Sequence, residues 1–523
     1  MEEIPLDKNL EEDSLKYDHL IKEEKQEEDQ RDLSLKERAQ QVLEACGWRF
    51  LVFLVFSQFG CKGLLLITVK NVMLPLFRNQ LDAATLQIYI LVVMMPWTIK
   101  PIIGLCSDYI LIGGYHKRGW LISSVLIGVV SSIFLFLTEN HFLLVFCFAG
   151  INFQVALYDL LSEGKYAEIR KKNDRLGSDL TTLTQAFQMA GILVGTTFVG
   201  FLSDAHLYRI MYMLILVFCL LPLIPTLLGW LPEERDGRKR WIQLVDLEDI
   251  RNNWKIILVI FLSGIAGLVV SLVTSMLEEP KGMFVGSALG LLFLIVILFG
   301  SHYAFKPYPL ITAVALYQVI TTIGAPVIGS ELDYFYTATP DCLTDGPHFS
   351  YAYYISYTGI VGTLVGLSGT IVYHLMLSRL KFRPVLLITT LLVSLAGLSD
   401  LIIVRRWNVA WGIPDRVAYM IGEAVLEPLL GILNWIPVSA LIALAAPKGM
   451  ESSCFAFLAG LSNFARMMSE LSGSMLIFFT QNGQACDFSS LWWLVLSCHV
   501  SFPLIVGVAA VWFVPNMEQN EKV

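Results

Sequence analysis

Apolar runs of about twenty residues recur along this chain, and charges are largely confined to the polar gaps between them. A helix that crosses a bilayer needs roughly 20 mostly apolar residues. A backbone in lipid must also satisfy its own polar groups, which leaves helices or closed barrels. The runs fall near 48–77, 83–107, 118–138, 141–164, 178–203 and 207–230, then 254–276 and 284–304. Six more lie near 309–331, 351–378, 384–404, 415–445, 451–480 and 489–514. Their length favours helices, and the reading is fourteen spans. A twelve-span reading makes the middle pair one re-entrant or peripheral element.

Composition agrees with this. The chain is 55% hydrophobic and 16% charged, and a soluble protein so apolar would expose large sticky patches. The expected division is an acidic cytoplasmic tail at 1–46, a six-helix bundle at 47–231 and a cytoplasmic linker at 232–253. Two additional helices follow at 254–305, then a second six-helix bundle at 306–514 and a cytoplasmic tail at 515–523. The first tail is dense in Glu, Asp and Lys, and accounts for much of the net charge of −8. It has neither the apolar core nor the cleavage site of a signal peptide, which favours the plasma membrane over an organelle.

Lysine and arginine in short loops set the orientation. The loops at 115–118, 164–175, 235–240 and 379–383 are basic, and all four share one side if both termini are cytoplasmic. The loop at 332–350 holds Asp333, Asp341 and Asp345 with no Lys or Arg, which suits the outside. Arg405 and Arg406 are an exception there. Cys342 and Cys486 fall on that same outer side. An oxidising space makes a disulfide between them one reading, and two unrelated thiols the other.

Three blocks carry a resemblance. The first is Gly60-x-x-Gly63 followed by Pro96-Trp97-x-x-Lys100-Pro101-x-x-Gly104-x-x-Ser107-Asp108. The second is Tyr158-Asp159-Leu160-x-x-Glu163-Gly164-Lys165-Tyr166-Ala167-Glu168 with Gly177-Ser178-Asp179-Leu180. The third is Pro447-x-Gly449-x-Glu451 with Phe455-Ala456, Gly460 and Ser462-Asn463. In these blocks the chain resembles the folate–biopterin transporter family, a branch of the major facilitator superfamily. Arg466 departs from the small residue expected three places after Asn463. The resemblance implies an all-α fold of two six-helix halves that rock about a central site. It also implies a cargo of folates, reduced pterins or, in some branches, S-adenosylmethionine.

Charges inside the runs are the candidate site, because an ionisable side chain at that depth is costly and faces a partner or a cavity. A pterin's amino-oxo edge suits a carboxylate, and a folate's glutamate tail suits Lys or Arg. Lys62, midway along the first run, is read as an anion or proton-coupling site, or as a helix-pairing lysine. Asp159 is read as a pterin or proton ligand, or as part of a lattice with Glu163, Lys165 and Glu168 that closes the cytoplasmic gate. Glu423 and Glu427 share a helical face just before Pro428, with Asn434 deeper. They suit cation or proton binding, or pair with Arg405, Arg406 or Arg416. Arg466 is read as a folate-carboxylate ligand, or as the partner of Glu470. Lys100, Asp108, Lys117 and Arg118 form the gating candidate, with Gly113-Gly114 supplying a tight loop.

The buried carboxylates and the lack of a Gly-x-x-x-x-Gly-Lys loop point to proton-coupled transport rather than ATP-driven transport. No His-Glu-x-x-His, Gly-x-Ser-x-Gly or Cys-x-x-Cys pattern appears, so an embedded enzyme or receptor is the remote alternative. No metal, cofactor or nucleic-acid partner is implied, and a monomer in the bilayer is expected.

Overall fold

The computed structural model describes residues 35–173, 179–236, 242–244, 247–445, 451–481 and 486–518. Residues 1–34 of the tail, Gly177 and Ser178, residues 237–240 of the basic linker, and Pro447 and Gly449 lie outside the described residues.

Every apolar run is helical. In chain order the helices are α1 Trp48–Phe77, α2 Ala83–Tyr109, α3 Arg118–Leu137, α4 His141–Ile169, α5 Asp179–Asp204, α6 Tyr208–Leu227, α7 Trp254–Met276 and α8 Lys281–Ala304. Then follow α9 Pro309–Ile323, α10 Ala352–Met376, α11 Phe382–Val404, α12 Asp415–Ile442, α13 Glu451–Gln481 and α14 Leu491–Phe513. Among the described residues, twelve of these are long and apolar enough to cross a membrane. The other two are α13, which carries Glu451, Arg466 and Glu470, and α9, which is only 15 residues long. Large side chains such as Phe299 and Leu375, 78% and 79% exposed, point outward, as lipid requires.

Three features depart from the expected pattern. The run at 309–331 is not one helix: α9 stops at Ile323 and a short helix, Gly329–Tyr336, resumes after Pro326. Proline has no N–H and cannot continue the ladder. The opened backbone is served from neighbouring helices. Gln87 of α2 donates to the Val327 carbonyl at 2.6 Å, and Ser469 of α13 donates to that of Ala325 at 2.6 Å. Second, the helical part is joined by a small ribbon, β1 Ile110–Ile112 against β2 Ile242–Leu244, antiparallel with Ile110 opposite Leu244. It ties the linker to the loop between α2 and α3. Third, four stretches are wound as π-helix: Val55–Leu65, Ala352–Tyr357, Gly422–Leu426 and Leu496–Ser501. Such turns are rare and gather at functional sites.

The first half (α1–α6) and the second (α9–α14) are bridged by the α7–α8 hairpin. Gly264 and Gly267 of α7 pack on Ile102 and Thr98 of α2, and Gly290 of α8 packs on Met468 of α13. Within the first half α1 crosses α5 at Gly63 and Gly191, where an added Cβ on Gly63 would lie 2.8 Å from the Gly191 Cα.

The bundle has a linker end, carrying residues 110–118 and 228–236, and a disulfide end, where Cys342 is bonded to Cys486. Among the described residues, the hydrogen bonds that join the halves lie at the disulfide end and at mid-depth. Arg78 donates to Thr337 Oγ1 and the Tyr334 carbonyl, both at 2.9 Å, and Tyr334 donates to the Leu81 carbonyl at 2.7 Å. Asn463 donates to the Trp97 carbonyl at 3.1 Å deeper in.

Candidate functional site

Two groups of ionisable side chains lie inside the bundle, one in each half. In the first half α2 breaks at Ile99, so Lys100 opens its second segment with Pro101 in the first turn. Lys100 is buried and pairs with Asp159 of α4, while its ammonium sits 3.7 Å from the centre of the Trp97 ring. Lys62, on the π-helical part of α1, lies 2.8 Å from the other Asp159 oxygen and 2.9 Å from Glu163. Two lysines and two carboxylates thus offset one another across α1, α2 and α4. Beside them Ser57 and Gln58 both donate to Ser162 at 2.8 Å.

This differs from the sequence pattern in one respect: Lys100 joins Asp159 rather than Asp108. Asp108 is exposed at the linker end of α2, in no ion pair among the described residues. Nearby, Lys117 and Lys165 both hold Glu168, at 2.7 and 2.8 Å. Glu233 of the linker accepts the backbone N–H groups of Lys117 and Arg118 at 2.8 and 2.9 Å, capping α3. The Arg118 guanidinium donates to the Leu227 carbonyl and stacks on Tyr115.

The second group lies in the other half, toward the disulfide end. Asp400 of α11, 2% exposed, is its centre. Tyr336 donates to one of its oxygens at 2.5 Å, and His499 Nδ1 of α14 lies 2.9 Å from the other. Glu423, on the π-helical turn of α12, lies beside the same carboxyl group, because its neighbour Gly422 packs directly on Ser399, the residue before Asp400. Tyr354 donates to Asp333 at 2.5 Å, and the Tyr336 and Tyr419 rings meet at 4.6 Å. Glu427, one turn beyond Glu423, is exposed, and Lys70 of α1 and Arg466 of α13 act on it electrostatically. Arg466 reaches Glu470 at 3.2 Å yet is 60% exposed. Asn434 is turned to Thr389 at 3.1 Å and serves helix packing.

The arginines that could have neutralised Glu423 and Glu427 at the surface are engaged elsewhere. Arg406 pairs with Asp415 at 2.8 Å and Asp345 at 3.2 Å, Arg405 stacks on Trp492, and Arg416 stacks on Tyr353. Among the polar side chains of the first half, Asn152 and Gln154 bond the backbone of neighbouring helices, at 2.7 Å to Val93 and 2.8 Å to Cys219. Gln185 and Gln188 remain partly or fully exposed.

The sequence reading missed Asp400, His499, Asp333 and the tyrosines around them. The signal was present for Asp400 and His499, since each is an ionisable residue alone in an apolar run.

A bundle of two six-helix halves bridged by a helical hairpin is an arrangement of the major facilitator type. Residues 60–523 match the BT1 family over most of the chain, and the protein belongs to that family. It is 25% identical over 446 residues to probable folate-biopterin transporter 6 of Arabidopsis thaliana, covering 84% of this chain and 77% of that one. It is 23% identical over 396 residues to the folate-biopterin transporter of Synechocystis sp., covering 73% and 65%. Among solved structures, an auto-inhibited POT family peptide transporter superposes with a TM-score of 0.61 at 13% identity, covering 89% of this chain and 96% of that one. A POT family transporter in complex with a thioalcohol-conjugated peptide gives 0.61 at 17% identity, covering 89% and 94%. These two show the fold. The chain is therefore a multi-pass membrane carrier, not an enzyme.

Proposed function

We propose that this carrier moves folate or biopterin-type pteridines by alternating access, driven by a proton gradient. The observation that carries the reading is the exposed trio between the halves: Glu427 from one half, Lys70 from the other, and Arg466 on α13. Glu427 matches the paired donors of a pterin edge, and Arg466 and Lys70 match the carboxylates of a glutamate tail. Relatives named for folate and biopterin support the same cargo. The excess of carboxylates around Asp400 gives one reason for a second reading, a cationic cargo such as S-adenosylmethionine.

In this scheme Glu423 serves the same central site, and Asn434 supports it through Thr389. Lys62, Lys100, Asp159 and Glu163 brace α1, α2 and α4 behind it. Asp108 is the carboxylate free to pair when the linker end closes, while Lys117, Arg118, Lys165 and Glu168 hold the neighbouring loop in shape. We place the linker end and both termini in the cytoplasm, in the plasma membrane, with a monomer as the working unit. The basic loops support that orientation, and so does a disulfide at the opposite end. The domain division follows the linker at 232–253 and the α7–α8 hairpin.

The test is uptake of labelled folate and biopterin by cells lacking their own uptake, with surface protein measured in parallel. Accumulation of either above background is expected. Surface protein with no accumulation of any pterin sinks the reading.

A further inference from the structure

We propose that the Asp400–Glu423 pair, framed by His499 and Tyr336, is where this carrier takes up and releases its proton. The proposal rests on the reading of the chain as a proton-driven carrier and assigns that proton to named groups.

Three features of the backbone converge on this spot. Gly397, at the break in α11, sits so close to α14 that an added Cβ would lie 2.7 Å from the His499 carbonyl oxygen. Gly422 sits so close to α11 that its Cβ would lie 2.6 Å from that of Ser399. The two glycines flank Asp400, one on each neighbouring helix contact. The segments that deliver Glu423 and His499 are both π-helical, Gly422–Leu426 and Leu496–Ser501. An extra residue in a helical turn re-aims the side chains it carries, and here two such turns aim at one carboxylate.

The chemistry follows from counting donors. Both oxygens of Asp400 are already taken, by the Tyr336 hydroxyl and by His499 Nδ1. Glu423 is brought beside the same carboxyl group by the packing of Gly422 on Ser399. Two carboxylates hold no donor between them, so a hydrogen bond joining them requires one shared proton. A bound metal cation fits poorly, because the Asp400 oxygens it would need already accept from a phenol and an imidazole. A proton needs only the pair itself.

Groups on every element packed around the pair bear on its charge. They are Asp333 and Tyr336 in the short helix after α9, Tyr354 on α10, and Tyr419 and Glu427 on α12. His499 comes from α14, and Arg466 of α13 and Lys70 of α1 act on Glu427. Loss of the shared proton adds a negative charge one turn from Glu427, on which Lys70 of the other half acts electrostatically. That charge acts across the boundary between the halves, which ties the proton to how the halves meet. Release is to water at whichever end is open.

The experiment uses the purified full chain in lipid vesicles. The first readout needs no cargo: infrared difference spectra between about pH 5 and 8, the range that brackets physiological pH. The wild type is expected to lose a protonated-carboxyl signal as pH rises. Asp400→Asn and Glu423→Gln should lack that signal, and Glu168→Gln, at the exposed linker end, should keep it. The second readout is folate and biopterin transport. In both variants uptake driven by an acid gradient should fall at least about tenfold more than exchange counterflow, a difference of about 1.4 kcal/mol. Should Asp400→Asn fail to fold, Tyr336→Phe removes a single donor and should move the pH midpoint of uptake upward. Variants that keep both the signal and the gradient-driven uptake, or an unmoved midpoint in Tyr336→Phe, overturn the site. A signal that follows Asp400 and Glu423 in a protein that transports neither cargo overturns the cargo reading and leaves the site standing.

Discussion

Asp204, the last residue of α5, caps the first turn of α10 in the opposite half: its two carboxylate oxygens accept the backbone N–H groups of Tyr351 and Ala352 at 2.8 and 2.9 Å. A helix start leaves its first N–H groups without partners, and a carboxylate there also meets the favourable end of the helix dipole. One turn inward, Ser356 donates to the Thr196 carbonyl at 2.7 Å and accepts from the Gly200 N–H at 3.1 Å. The cap therefore exists only while the disulfide end is closed.

Asp204→Ala is expected to shift the carrier toward the state open at the disulfide end. Hydrogen bonds to a charged group contribute roughly 1.5–3 kcal/mol, so the population ratio should move by about tenfold or more. Spin labels placed across the disulfide end in purified protein report this as a longer distance distribution. An unchanged distribution removes Asp204 from the closure.

Asp159 is the shared counter-charge of Lys62 and Lys100. Asp159→Asn leaves two buried ammonium groups facing each other with only Glu163 to offset them. Breaking a buried pair in this way costs about 3–5 kcal/mol. The single variant should lose transport and lower the thermal unfolding midpoint. Adding Lys100→Met restores the charge balance and should recover much of the midpoint. If the double variant is no more stable than Asp159→Asn, the network does not act as a charge-balanced unit.

The run lengths made the helices legible, and the crowding of Lys and Arg into loops made two distinct ends legible. Bilayer thickness fixes the first, and loop charge the second. What stayed hidden depends on contacts between distant residues. Asp400 and His499 are 99 positions apart and Lys100 and Asp159 are 59 apart, and no local pattern pairs them. The break after Ile323 was marked by Gly324 and Pro326, but the segment is apolar throughout and was read as continuous. The three-residue strands β1 and β2 are too short for period-2 alternation to register. The π-helical turns leave no mark on a 3.6-residue periodicity in a sequence that is apolar on nearly every face.

The Cys342–Cys486 bond closes a loop across 144 positions and ties the segment before α10 to the start of α14. Removing such a bond typically costs about 2–4 kcal/mol. Cys342→Ala with Cys486→Ala should lower the thermal midpoint of the purified protein. In intact cells, a reductant that cannot cross membranes should free both thiols for labelling. Thiols labelled only after permeabilisation would put the disulfide end inside and reverse the orientation.

In the proposed scheme Glu427 and Arg466 take opposite ends of a folate. Both are exposed, and they come from α12 and α13. A pterin ring presents the same amino-oxo edge in folate and in biopterin, so Glu427→Gln should raise KM for both by a similar factor. One charge-assisted hydrogen bond is worth roughly 1.5–3 kcal/mol, which corresponds to about ten- to a hundredfold. Biopterin has no glutamate tail. Arg466→Ala should therefore raise KM for folate by about tenfold while leaving biopterin nearly as it was. Arg466→Lys keeps the charge but loses the guanidinium fork, so it should recover folate binding only in part. Equal effects of Arg466→Ala on the two cargoes would mean that Arg466 acts through Glu470 on the α13 helix, and would leave Lys70 as the group facing the tail.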